Sequence, residues 1–115
     1  MAVITIWHNP RCSKSRQTLA LLHDQGHAPV VVDYLKTPPS AHDIQSVLAK
    51  LGAAPIDMMR TKETRFKDLG LTPDISDQVA IEAMATNPIL IERPVGITDT
   101  AAAIGRPPEA VLDIL

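Results

Sequence analysis

The chain is short of cysteine and of aromatic side chains. Cys12 is the one cysteine among 115 residues. It cannot form an intramolecular disulfide, so no disulfide framework holds the fold. A tetrahedral zinc site is not expected either, and no metal is assigned. One Trp, one Tyr and one Phe supply too little ring surface for a nucleic-acid face built on base stacking. No apolar run approaches the roughly 20 residues of a membrane span. The N-terminus lacks the basic segment and long apolar stretch of a secretory signal. Repeats, low-complexity tracts and long linkers are missing too. These absences point to a cytoplasmic protein with a free thiol, without nucleic-acid or membrane partners. Hydrophobic residues make up 45% and charged residues 21%, the ordinary balance of a globular chain. Residues 1–115 are therefore read as a single domain large enough for a core.

What is present gathers around Cys12. Residues 1–16 hold Arg11, Lys14 and Arg16 and no acid, whereas the remainder holds eight basic against thirteen acidic residues. The apolar run 3–7 reads as a strand buried on both faces. His8-Asn9-Pro10 breaks it, and residues 13–25 read as a helix closed by Gly26. Cys12 thus stands at a strand-to-helix turn, beside a helix N-terminus and near His8, Arg11, Lys14 and Arg16. Positive charge and helix-end N–H groups favour a thiolate. The same setting attracts an anionic substrate.

Further along, residues 29–34 read as a second strand. A strand–helix–strand unit with a short return implies parallel pairing and a right-handed crossover. Ser40 caps a helix in which Ile44, Val47, Leu48 and Leu51 share one face, and Gly52 ends it. Residues 55–60 read as a short helix and 61–71 as an exposed loop or short helix. Ser76 caps a helix to Thr86, with Val79, Ala80, Ala83 and Met84 inward. Residues 89–91 and 95–98 read as two strands of an antiparallel hairpin. Pro107 and Pro108 open a last helix over 109–115.

The order β-α-β, a helical insertion at about 40–86, then β-β-α is the thioredoxin-like arrangement. It predicts an α/β fold with a four-stranded mixed sheet flanked by helices. In that fold the first strand–helix turn carries the working cysteine, and a proline, often cis, packs beside it. Pro94 is suitably placed.

Four segments together resemble the glutaredoxin-dependent arsenate reductase family, in its shorter branch. They are His8-Asn9-Pro10-Arg11-Cys12-Ser13-Lys14-Ser15-Arg16, Asp33-Tyr34-Leu35 with Pro38-Pro39, Asn87-Pro88-Ile89-Leu90-Ile91-Glu92-Arg93-Pro94, and Gly105-Arg106-Pro107-Pro108. The resemblance implies that Cys12 is the nucleophile. It implies that Arg60, Arg93 and Arg106 bind the oxyanion and that His8 helps to lower the thiol pKa. Arg11, Ser13, Lys14, Ser15, Arg16 and Pro94 are implied to support the site. Position 18 is Thr, so the phosphatase-like loop of other arsenate reductases, with Arg six residues after Cys, is excluded.

The implied chemistry is reduction of arsenate to arsenite through a cysteine–arsenic intermediate. No cofactor is bound. Glutathione is the co-substrate, since the chain has no resolving cysteine, and glutaredoxin is the protein partner. Only a thiolate attacks, and an ordinary cysteine is a few per cent ionised at neutral pH. Arginine is suited to cancel the repulsion between thiolate and oxyanion, because its planar fork bridges two oxygens and keeps its charge. Two other readings stay open: a glutathione-dependent thiol reductase, and a non-enzymatic regulator of the same fold that binds RNA polymerase. Ser15 stands where many such regulators place a second cysteine.

Overall fold

The computed structural model describes residues 3–115. The chain divides into two compact units: the residues up to Thr37 together with Arg93–Leu115, and the segment Pro38–Glu92.

The first unit is built on four strands. β1 is Thr5–His8, β2 Val30–Asp33, β3 Val95–Ile97 and β4 Ala102–Ile104. Their order is β2-β1-β3-β4. β2 runs parallel to β1, with Trp7 opposite Val32 and His8 opposite Asp33. β3 is antiparallel to β1 and β4 antiparallel to β3. This is the mixed thioredoxin-like sheet that the element order predicts. α1, Ser13–Asp24, connects β1 to β2 and buries Ser15, Thr18 and Leu22. A C-terminal 3-10 segment, Pro108–Ile114, packs on α1 and β4. Ile4, Ile6, Leu22 and Val111 close over one another as the core, with Leu112 and Ile114 at its margin. Fully burying such a side chain contributes ~1.5–3 kcal/mol, so these few residues fix how α1 and the C-terminal segment lie on the sheet.

The second unit is helical. α2, Ala41–Leu51, begins with a complete capping box. Ser40 Oγ accepts from the Asp43 N–H, and Asp43 accepts from the Ser40 N–H. It ends at Gly52, whose φ of 65° is the left-handed conformation that glycine adopts at least cost. Ile44, Val47 and Leu48 are buried. α3 is the single turn Thr64–Asp68 around the buried Phe66. α4, Asp77–Thr86, is capped by Ser76 and packs on α2. Pro55–Met58 is a 3-10 turn.

Three expectations are corrected. The hairpin partner of β3 is not 89–91 but β4, Ala102–Ile104. Pro88–Leu90 forms a 3-10 turn, and Ile91 makes only an isolated bridge to Met59. The two alanines of β4 hide it in the sequence, because alanine is depleted in strands. The last helix is a 3-10 segment rather than an α-helix. Val79 is 43% exposed, since α4 buries the side carrying Ala80 and Met84.

Candidate active site

The turn after β1 is built from its own side chains. Cys12 N–H donates to the Asn9 carbonyl (3.0 Å), and Arg11 N–H donates to Asn9 Oδ1 (3.0 Å). Asparagine closes such turns because its short side chain reaches the backbone two residues on. Asn9 N–H donates to Ser15 Oγ (2.9 Å), and His8 Nδ1 lies 2.7 Å from the same oxygen. Ser15, inside the first turn of α1, thereby ties the strand end to the helix start. Arg16 Nη1 donates to the Pro10 carbonyl (2.9 Å) and clasps the turn from outside.

Cys12 is the residue that caps α1. Its φ and ψ of −94° and 124° are extended, and its carbonyl accepts from Arg16 N–H (3.0 Å). The thiol is partly buried. Burial alone raises its pKa, but the opposing groups prevail and leave it below the ordinary thiol value. These are, in order, the Ser15 backbone N–H, the Arg93 guanidinium, the Lys14 backbone N–H and the Arg106 guanidinium. Two belong to the first helical turn, where N–H groups lack helical acceptors. The other two come from a segment eighty residues or more away in sequence.

Arg93 and Arg106 are held together. Arg106 Nε donates to the Arg93 carbonyl (3.1 Å), and Gly105 N–H donates to the Pro94 carbonyl (2.8 Å). The Arg93–Pro94 and Arg106–Pro107 peptide bonds are both cis. Pro94 is buried. A Cβ at Gly105 would lie 2.7 Å from Pro94 Cγ and 2.8 Å from Thr18 Oγ1. Gly105 therefore permits the close packing that brings both arginines beside Cys12. The sequence assigns neither Thr18 nor Gly105 a part in the site. The signal for Thr18 is its spacing, which puts it on the helix face of Ser15 and Leu22.

His8 is buried, and its pKa is lowered, first by burial and then by Arg16, against the opposing pull of Asp33. It is thus a neutral, hydrogen-bonded ring rather than a cation beside the thiol. Ser13, Lys14 and Arg11 are exposed. Arg60 lies in the second unit. There Nη2 pairs with Glu63 (3.1 Å), Nε with Glu92 (3.9 Å), and Nη1 donates to the Ile89 carbonyl (3.3 Å). Among the described residues no three His, Cys, Asp or Glu side chains group as a metal site. Among them, too, no helix is long and apolar enough to cross a membrane.

The profile of the ArsC family matches residues 7–114. The chain belongs to the ArsC family. Within it, the chain is 47% identical over the full length of both proteins to the arsenate reductase of Haemophilus influenzae. It is 46% identical to the uncharacterized protein YfgD of Escherichia coli K12, covering 97% of this chain and 96% of that one. The structure of an arsenate reductase from Vibrio cholerae superposes with a TM-score of 0.94 at 47% identity, over 99% of this chain and 98% of the other. The thioredoxin-like sheet and the turn bearing Cys12 are therefore an ArsC architecture.

Proposed function

We propose that this protein reduces arsenate to arsenite, with glutathione and glutaredoxin as the source of electrons. The observation that carries the reading is the placing of Cys12. A lone thiol caps a helix while two guanidinium groups from a remote segment lower its pKa. Homologues named arsenate reductase over the full chain length support the same substrate.

The Cys12 thiolate attacks arsenic and displaces hydroxide, forming the S–As bond. Arg93 and Arg106 offset the charge of the oxyanion and of the transition state. The glutathione thiol then replaces a second hydroxyl, which leaves as water. Glutaredoxin attacks the glutathionyl sulfur, and the S–As electron pair passes to arsenic, reducing As(V) to As(III). Glutaredoxin keeps the glutathione as a mixed disulfide. Hydrolysis of the remaining Cys12–As bond releases arsenite and restores the thiol. Ser15 holds the turn through Asn9 and His8, and Pro94, which follows Arg93, packs closely against Gly105. The Arg60 guanidinium, shared between Glu63 and Glu92, is the third arginine of the proposal.

The test is NADPH oxidation coupled through glutathione reductase, with arsenate, glutathione and glutaredoxin supplied. Wild-type protein turns over and Cys12→Ser falls to background with an unchanged circular dichroism spectrum. Turnover of a glutathionylated peptide but not of arsenate points instead to a general thiol reductase. Full activity in Cys12→Ser overturns the mechanism.

A further inference from the structure

β2 is an edge of the sheet, since the order β2-β1-β3-β4 pairs it on one side alone. Val30 N–H donates to the Ile4 carbonyl (2.9 Å), so the backbone groups of Val30 and Val32 aim at β1. Successive strand residues present their N–H and C=O to opposite edges, and those of Val31 and Asp33 therefore aim outward. Such an edge is a template for another strand, and proteins commonly block it with charge, proline or a bulge. Residues 26–32 contain no Lys, Arg, Asp or Glu. The strand also exposes apolar side chains: Val30 is 52% and Val31 45% exposed, with Val3 and Leu35 exposed beside them.

The edge is complementary to itself. A second copy laid antiparallel, with Val31 on Val31 across a two-fold axis, lets each Val31 N–H donate to the Val31 carbonyl of the other copy. Two residues on, Asp33 N–H meets the Pro29 carbonyl. The return bond of that pair is dispensable on both sides at once. Pro29 has no N–H to give, and the Asp33 carbonyl already accepts from Lys36 N–H (3.0 Å) and Thr37 N–H (2.9 Å). Moving the register by two residues sets Val31 against Pro29, which cannot donate, or against Asp33, whose carbonyl is occupied. The charges fit the same arrangement. Asp24 and His27 precede β2, while Asp33 and Lys36 stand at its end, so an antiparallel copy sets Asp24 toward Lys36 and His27 toward Asp33. The two Asp33 residues lie four residues apart along the edge, about 13 Å at ~3.3 Å per residue, beyond the screening length of ~8 Å.

We propose that β2 is a homodimer interface, in which two copies join their sheets through antiparallel β2 strands centred on Val31. Val31 packs on Val31 on one face, and Val30 packs on Val32 of the other copy on the opposite face. A single strand edge is smaller than the ~800 Å² per partner of a standard interface, so the dimer forms reversibly and with rising concentration. It uses neither Cys12 nor the site arginines, and it holds whatever the substrate is.

Two measurements test the interface, both under reducing conditions so that a disulfide between Cys12 thiols does not contribute. Sedimentation velocity over a concentration series shows a monomer–dimer equilibrium for wild type. Val31→Lys brings two ammonium groups together on the axis and sediments as a monomer throughout, with the wild-type melt and the wild-type pH profile of Cys12 alkylation. Val31→Pro, which removes the central N–H, does the same. Amide hydrogen exchange fixes the register: in wild type the Val31 and Asp33 amides slow about tenfold from dilute to concentrated protein. In Val31→Lys they keep the dilute rate. Exchange in wild type decides the matter alone if either variant fails to fold. A wild-type protein that stays monomeric up to millimolar chain overturns the proposal. So does a dimer that survives Val31→Lys or leaves both amides unprotected.

Discussion

Replacing Gly105 by alanine probes how the two site arginines are held. The new methyl would sit 2.7 Å from Pro94 Cγ, 3.3 Å from Pro94 Cδ and 2.8 Å from Thr18 Oγ1. Carbon atoms in contact prefer ~3.5–4.0 Å, so the overlap with the proline ring is roughly 0.8 Å. Neither neighbour yields freely. Pro94 is a closed ring whose carbonyl accepts the Gly105 N–H at 2.8 Å. The Thr18 hydroxyl is committed to the Lys14 carbonyl at 2.8 Å. The backbone must therefore shift, and overpacking of this kind costs about 1–3 kcal/mol. At ~4 °C per kcal/mol for a chain of this size, the expected fall in Tm is on the order of 4–12 °C. The shift also has a direction. Arg93 precedes Pro94 and Arg106 follows Gly105, so separating the pair draws both guanidinium groups away from Cys12. The thiol pKa then rises toward its ordinary value. The assay is the pH dependence of Cys12 alkylation, read beside a thermal melt. A Gly105→Ala protein that melts with wild type and alkylates with the same pH midpoint would refute the reasoning.

Arg93→Ala and Arg106→Ala should each raise the Cys12 pKa, with Arg93 the larger effect because its guanidinium holds the thiol pKa down more strongly than that of Arg106; ultraviolet titration of the thiolate measures this, and a reversed order would count against the geometry. Ser15→Ala removes the oxygen shared by His8 and Asn9, an expected loss of ~1–3 kcal/mol by denaturant unfolding. It leaves the thiol pKa low, because the Ser15 backbone N–H is retained. The His8 pKa is depressed in the folded state, so the unfolded chain binds the proton more readily. This histidine's contribution is present above the unfolded value of ~6.5 and is lost as pH falls from there through the folded value. Melts between pH 7 and 5 should show that loss in wild type and much less of it in His8→Gln. Ser40→Ala breaks the capping box of α2 and should cost about 1 kcal/mol; a melt unchanged from wild type would show that the cap is not contributing.

Much of the fold is legible residue by residue. Ser40, Ser76 and Gly52 mark helix ends because their side chains, or the lack of one, act on the nearest backbone groups. The stripe of Ile44, Val47 and Leu48 announces the buried face of α2. β4 was not legible, because Ala102 and Ala103 owe their extended conformation to pairing with β3 rather than to their own preference. Ile89 and Ile91 erred the other way. Their strand propensity is strong, yet Pro88 starts a 3-10 turn and only the bridge to Met59 is available.

For the site, the sequence alone determined that one thiol stands between a strand and a helix amid positive charge, because those are facts of neighbouring residues. Only the tertiary structure decided which charges act on the thiol. Arg93 and Arg106 reach it by way of β3, β4 and the packing of Gly105 on Pro94. His8, adjacent in sequence and basic by type, is neutral because burial outweighs the nearby carboxylate of Asp33. Electrostatic effects depend on distance and solvent exposure, and the chain sets both only when it folds.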